Sequence, residues 1–150
     1  MIQVTRRREV AAAPATVFAV LTHPDRLAAL LPRVQRIELL QRTDSYARMA
    51  TYMGLGPFGA LRSEGDVRWQ TDREVVFSSR KPVYVESRWV LLPNASLTDL
   101  QATLSLDLAP LLGPFAAFVP TTEVERMIAA DLDAALSAVA RMVAEQTPPA

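Results

Sequence analysis

Apolar residues near the C-terminus of the chain recur with the period of an α-helix. Between residues 121 and 145, the steps from one apolar position to the next are four, four, four, three and four residues, which places these positions on one stripe of a helix. The stripe consists of Val124, Ile128, Leu132, Leu136, Val139 and Val143. The pattern predicts one long amphipathic helix that covers part of an apolar surface.

The chain before this helix mostly follows the two-residue period of β-strands. A first strand is predicted over residues 2–10, and two short helices follow, one beginning at Pro14 and the other near Asp25,. Six further strands are predicted over residues 34–41, 46–53, 61–71, 74–80, 83–92 and 98–108. The gaps between these six are too short for helical crossovers, so we expect consecutive strands to pair antiparallel.

Alternation within the strands predicts which side chains face the core. In the last strand the apolar side chains of Leu100, Ala102, Leu104 and Leu106 alternate with polar residues, so one face of the sheet should be dry and the other wet. In the strand over residues 61–71, the same alternation turns Val67 and Trp69 inward and its acids and arginines outward. Cross-strand ion pairs explain these outward charges. Gly65 has inward parity, where a missing side chain permits a bend or a bulge.

One helix cannot cover the whole predicted sheet. A helix is about 10 Å wide, whereas six or seven strands at a spacing of about 4.8 Å are much wider. The sheet must therefore curl around the helix or leave space beside it, and either arrangement predicts a cavity. We expect an α+β fold in a single domain over residues 1–145, with residues 146–150 as a frayed tail.

Composition narrows the function classes. The 150 residues carry no net charge, which argues against a nucleic-acid partner. The absence of cysteine excludes disulfides and cysteine-based metal sites, and no motif for a cofactor or metal is present. The longest apolar stretch, residues 108–120, is interrupted by Pro110, Gly113 and Pro114 and is shorter than the about 20 residues that span a bilayer. With no export signal at the N-terminus, we expect a cytoplasmic protein.

The element order comes with a specific N-terminal run, VAAAPATVFAVLTHPDRL over residues 10–27, followed by Leu31-Pro32-Arg33-Val34. Together they resemble the START-like helix-grip superfamily (SRPBCC), which contains polyketide cyclase/dehydrase and lipid-transfer proteins. The resemblance covers nearly the whole chain. It implies a helix-grip fold whose cavity holds lipids, sterols, quinones or polyketides, with catalysis in a minority of members. The chain departs from the usual pattern in lacking a tryptophan in the second helix and in carrying Arg6 and Arg8 at inward positions of the first strand.

We therefore predict reversible binding of an apolar or amphipathic small molecule, such as a lipid, a quinone or a polyketide-like compound, between the curved sheet and the C-terminal helix. The predicted lining consists of Val67, Trp69, Phe77, Trp89, Leu104 and Leu106 from the sheet, with Ile128, Leu132 and Leu136 from the helix. Arg8 has inward parity, and a buried guanidinium needs a partner, which is either an anionic ligand group or an acid of the protein. A bulge in the strand, or exposure at the sheet's edge, would remove that need.

Two alternative functions remain open at this level. A polyketide cyclase or aromatase would catalyse a reaction in the same cavity, but the inward positions supply no histidine or acid, and the only histidine, His23, lies at a turn. No catalytic residue is assigned, and binding is favoured over catalysis.

The other alternative is a membrane-associated or assembly protein that acts through two apolar loops. In the first loop, Leu55 and Phe58 form either a gate over the cavity or a permanent cap. The second loop either contacts a membrane or a second copy of the chain or packs on the sheet; its apolar residues are Leu111, Leu112, Phe115 and Phe118.

Overall fold

The structure, a computed structural model, describes residues 1–23, 34–54, 60–80, 84–107, 109, 113–114 and 120–146. Its strands are β1 (Ile2–Val10), β2 (Val34–Arg42), β3 (Tyr46–Gly54), β4 (Ala60–Gln70), β5 (Glu74–Ser79), β6 (Val85–Asn94) and β7 (Leu97–Leu106). Its helices are α1 (Pro14–Leu21) and α2 (Thr121–Gln146). The predicted α+β helix-grip architecture is confirmed. The second short helix, predicted from Asp25, and residues 147–150 of the tail lie outside the described residues.

Within the described residues, seven strands form one antiparallel sheet in the order β1-β7-β6-β5-β4-β3-β2. Strands β2 to β7 are neighbours in chain order, as their short connections predicted. Strand β1 pairs with β7 over the full register from Ile2 opposite Leu106 to Val10 opposite Thr98. The edges of the sheet are therefore β1 and β2.

The hairpin between β6 and β7 is tighter than predicted. Pairing continues through Pro93 and Asn94, whereas the strand was predicted to end at residue 92. Strand β5 stops pairing with β6 at Val90, so at Pro93 only one neighbouring strand needs hydrogen bonds and the missing N–H is tolerated. Ala95, with a φ of 54°, makes the turn.

The helix α2 supplies one side of the core. Five residues of its predicted stripe are buried, and they are Ile128, Leu132, Leu136, Val139 and Val143. The helix packs along β1 and β7, and α1 packs against α2, β6 and β7. The apolar stripe therefore binds the helix to the end of the sheet where the first and last strands meet.

The buried stripe predicts a large difference between two substitutions in α2. Leu136→Ala removes a side chain that is 1 % exposed and should lower the free energy of unfolding by about 2–5 kcal/mol, because a cavity remains. The control Met127→Ala, at a position that is 43 % exposed, should change it by less than about 0.5 kcal/mol. Urea denaturation measures both values. Similar losses for the two variants would contradict the packing described here.

Candidate functional site

The helix α2 covers only one part of the inner face of the sheet. Its backbone packs on β1 and β7, which are the first two strands in the sheet order. Strands β5 and β4 lie two and three positions farther on, about 10 and 14 Å from β7 at the usual strand spacing. Their inner side chains therefore face a region beside the helix.

A group of inner side chains on β5, β6 and β7 stays partly accessible. Phe77 lies opposite Ser87, which lies opposite Leu104, and Val85 lies opposite Leu106. Directly opposed residues share a face of the sheet, so these five residues form one surface, here called the inner patch. All five are half-buried, whereas Trp89, the next inner residue of β6, is only 4 % exposed. The inner patch is the accessible border of an otherwise closed core.

Contacts between β1 and α2 show which part of the helix lies near the inner patch. Arg6 donates two hydrogen bonds to the carboxylate of Asp133, at 2.8 and 2.9 Å, and Arg8 donates one to Oγ of Ser137 at 3.0 Å. The strand and the helix therefore run in the same direction. Leu104 lies opposite Val4, before Arg6 in β1, so the N-terminal half of α2 is nearest to the inner patch.

The structure divides the predicted lining residues into three groups. Phe77, Leu104 and Leu106 lie together in the inner patch. Five others are buried inside the core cluster, and they are Val67, Trp89, Ile128, Leu132 and Leu136. Their role in ligand binding stays a prediction.

Trp69 lies apart, near the opposite end of β4. It is partly buried against the core, and its indole N–H donates to the carbonyl oxygen of Asp44 at 3.0 Å.

Sequence reasoning missed Val85 and Ser87. Both share the parity of Trp89 in β6, so the alternation that placed Trp89 inward also contained the signal for Val85 and Ser87. Ser87 was passed over because a small polar residue within an apolar row was not recognised as part of a site.

Arg8 is exposed, rather than enclosed between the sheet and the helix. Its parity was read correctly, since it lies opposite Leu100 on the inner face. However, β1 is an edge strand, and the side chain extends over the seam with α2 and binds Ser137. Its neighbour Arg6 is also exposed, and the hydrogen bonds and the charge of Asp133 raise the pKa of its guanidinium above the ordinary value. Both arginines join strand to helix at the surface.

Three buried hydroxyl groups lie farther toward β3 on the inner face. Oγ1 of Thr51 donates to the carbonyl oxygen of Ser63 at 3.3 Å. The Oγ atoms of Ser63 and Ser79 are 2.8 Å apart, and Ser79 also donates to the carbonyl oxygen of Glu64 at 2.8 Å. These hydroxyls are bonded within the sheet, which offsets the cost of burying them.

Gly65 makes room for an aromatic ring of the inner patch. A Cβ atom on Gly65 would lie 2.7 Å from two ring atoms of Phe77 and 2.7 Å from the carbonyl oxygen of Ser78. The register between β3 and β4 continues regularly across Gly65, so the bulge considered from the sequence is absent there. The glycine instead lets the Phe77 ring lie directly over β4.

The outer face of the sheet carries paired charges, as predicted. Ion pairs with N–O distances of 2.8 to 3.6 Å join Arg48 to Glu64 and Asp66, Arg62 to Glu64, and Arg88 to Glu74 and Glu86. A hydrogen bond to Glu86 raises the pKa of Tyr84 above its ordinary value.

Two open cavities of about 680 and 760 Å³ lie on this outer face among the charges. Small-molecule sites are mostly apolar concavities with few polar groups, so the inner patch fits such a site better than these charged grooves do.

The two predicted apolar loops lie largely outside the described residues. The gate residues Leu55 and Phe58 lie outside the described residues, as do Leu111, Leu112, Phe115 and Phe118 of the second apolar loop. His23 is exposed after the end of α1. In the parts of the chain that the structure describes, no helix is long and apolar enough to cross a membrane.

Residues 1–144 match the profile of a family described as polyketide cyclase / dehydrase and lipid transport. The chain belongs to this family. Proteins of known structure share the fold of this chain at low identity. The protein TTHA0849 from Thermus thermophilus is 19 % identical with a TM-score of 0.76, and the match covers 97 % of this chain and 99 % of that one.

Two further structures are similar to the chain described here. The Zhui aromatase/cyclase from Streptomyces sp. R1128 is 18 % identical with a TM-score of 0.74, over 96 % of this chain and 94 % of that one. A STAR-related lipid transfer protein from Xanthomonas axonopodis is 15 % identical with a TM-score of 0.69, over 93 % of this chain and 84 % of that one. A search of curated proteins gave no match.

The contact between Gly65 and Phe77 predicts coupled effects of two substitutions. Gly65→Ala should lower the free energy of unfolding by about 1–3 kcal/mol, because the new methyl group overlaps the ring and a carbonyl oxygen. Adding Phe77→Leu removes the ring, so the double variant should lose less stability than the sum of the two single variants. Denaturant unfolding of all three variants measures this difference. Strictly additive losses would show that the ring does not occupy the space over Gly65.

Proposed function

We propose that this protein binds an apolar or amphipathic small molecule, such as a lipid, a quinone or a polyketide-like compound, at the inner patch. The observation that carries the proposal is the position of the patch. Apolar side chains of β5, β6 and β7 that are still partly accessible lie on the inner face of the sheet, beside the helix α2. Burial of such a surface under an apolar ligand lowers the free energy by about 25 cal/mol per Å² of apolar area.

Family membership supports this class of ligand. The family description names polyketide cyclases, dehydrases and lipid transport, and all of these activities concern largely apolar molecules. The similar structures include one called a lipid transfer protein and one called an aromatase/cyclase.

The chemistry of the inner face favours binding over acid–base catalysis. Among the described residues of β3 to β7, the hydrogen-bonding side chains on the inner face are hydroxyl groups and the indole groups of two tryptophans. Such groups orient a ligand, whereas proton transfer is most often carried by histidine or a carboxylate. We therefore propose a binding protein rather than an enzyme.

Blocking the inner patch tests the proposal. Leu104→Trp puts a much larger side chain into the inner patch and should weaken binding of the apolar fluorescent probe N-phenyl-1-naphthylamine about tenfold or more, equivalent to about 1.4 kcal/mol. The matched control is Thr103→Trp, because Thr103 is the preceding residue on the same strand and faces outward. Fluorescence titration measures the affinity, and a melting curve verifies that each variant is folded.

Native mass spectrometry of the protein purified without detergent complements the titration. We expect the unmodified protein and the Thr103→Trp variant to retain the additional mass of a bound molecule. The Leu104→Trp variant should lack this mass. Equal probe binding by both variants and the unmodified protein would contradict the location, and no probe binding by the unmodified protein would contradict the function.

A further inference from the structure

Ser87 is a polar residue within an apolar row. The inner positions of β6 are Val85, Ser87, Trp89 and Leu91, and Ser87 lies between Phe77 of β5 and Leu104 of β7. A hydroxyl among apolar side chains lowers the hydrophobic stabilisation of a core. We therefore expect the Ser87 hydroxyl in the accessible inner patch to contact the molecule that binds there.

The hydrogen bonds of Ser87 leave its proton available. The indole N–H of Trp89 donates to Oγ of Ser87 at 2.9 Å, so this bond uses Ser87 as the acceptor. A serine hydroxyl has one proton to donate in addition. Among the described residues, no acceptor lies within hydrogen-bonding reach of that proton.

Other hydroxyls on the inner face differ from Ser87 in this respect. Thr51 and Ser79 donate to main-chain carbonyl oxygens, and Thr98 donates to the carbonyl oxygen of Ala12 at 2.8 Å. Ser63 is bonded to Ser79. Of the inner-face hydroxyls in the described strands, Ser87 is the one whose donor capacity stays unused, and it is held in place by the Trp89 indole.

The charges around the inner patch define what kind of acceptor fits. The described inner positions of β3 to β7 carry no arginine or lysine. Arg6 and Arg8 of β1 are exposed and bind Asp133 and Ser137. An ionised carboxylate brought against Phe77 and Leu104 would lose its hydration without gaining a cation, which is costly. A neutral carbonyl oxygen needs only one donor.

We propose that Ser87 donates a hydrogen bond to the bound molecule, and that this molecule is a neutral apolar compound with an acceptor oxygen, such as a ketone, a quinone or an ester, rather than a free carboxylic acid. This inference rests on the proposed function and adds the residue and the chemical class. Trp89 is a positioning residue, because it orients Ser87 and is itself buried.

Two probes of similar apolar character separate the hydrogen bond from simple burial. Prodan carries a ketone whose emission shifts to shorter wavelength when hydrogen bonds to it are lost, and diphenylhexatriene is a hydrocarbon. Ser87→Ala should weaken Prodan binding about three- to tenfold, the equivalent of one net hydrogen bond, and shift its emission to shorter wavelength. Binding of diphenylhexatriene should stay unchanged.

Two control variants accompany Ser87→Ala. Ser87→Thr keeps a hydroxyl and should retain the Prodan emission of the unmodified protein. Ser105→Ala is the matched control, because Ser105 of β7 also accepts a side-chain N–H, from Gln3 at 3.2 Å, but has outward parity. It should affect neither probe.

The outcomes distinguish this inference from the proposed function. If the unmodified protein binds neither probe, the proposed function fails and this inference fails with it. If both probes bind and Ser87→Ala weakens them equally, or weakens neither, the inner patch still binds ligands but Ser87 does not donate to them.

The chemical class is tested by a charged and a neutral form of one chain. Parinaric acid is ionised at about pH 8, since carboxyl groups ordinarily titrate near pH 4, and its methyl ester is neutral. The ester should bind more tightly to the unmodified protein in a fluorescence titration. Equal or tighter binding of the acid would overturn the assignment of a neutral ligand.

Discussion

The packing of α2 on β1 and β7 is the contact on which the rest of this structure depends. It joins the C-terminal element to the first strand, and it buries the apolar stripe of the only long helix in the described residues. Because a helix is about 10 Å wide, this contact also leaves the inner face of the more distant strands without helical cover. This contact closes the core along β1 and β7, while the inner patch on β5, β6 and β7 stays half-buried beside it.

The two faces of the sheet have different chemistry, and the difference locates the proposed site. On the outer face, arginines and acids pair with each other across neighbouring strands and within one strand, so the charges of these residues are already compensated. On the inner face, buried hydroxyls are bonded to main-chain oxygens or to each other, while the inner patch combines apolar side chains with one hydroxyl that has an unused proton. A small apolar molecule with one acceptor oxygen complements that combination.

Local patterns in the sequence were sufficient for the seven strands, for α1 and α2, and for the faces of the strands. The spacing of Val124 to Val143 predicted α2, and the alternation around Leu104 predicted which side chains of β7 point inward. Parity, however, does not show where a strand lies in a sheet. Arg8 has the inward parity that the sequence indicated, but it is exposed because β1 is an edge strand, and that fact depends on pairing with β7 almost a hundred residues later.

Other parts of the site also depend on contacts that single residues do not reveal. Gly65 was recognised as unusual, but only the position of the Phe77 ring explains why a side chain is excluded there. The proposed role of Ser87 depends on the Trp89 indole, whose N–H donates to the oxygen of the hydroxyl and leaves the hydroxyl proton free. Both are effects of packing between strands rather than of local sequence.

The most direct measurement of the central claim is the map of backbone amide chemical shifts when Prodan is added to the isotopically labelled protein. The account predicts that the largest changes occur at Phe77, Val85, Ser87 and Leu104 and in the N-terminal half of α2. Changes concentrated instead at the outer-face charges, such as Arg68, Glu74 and Arg88 around the open cavity there, would contradict it.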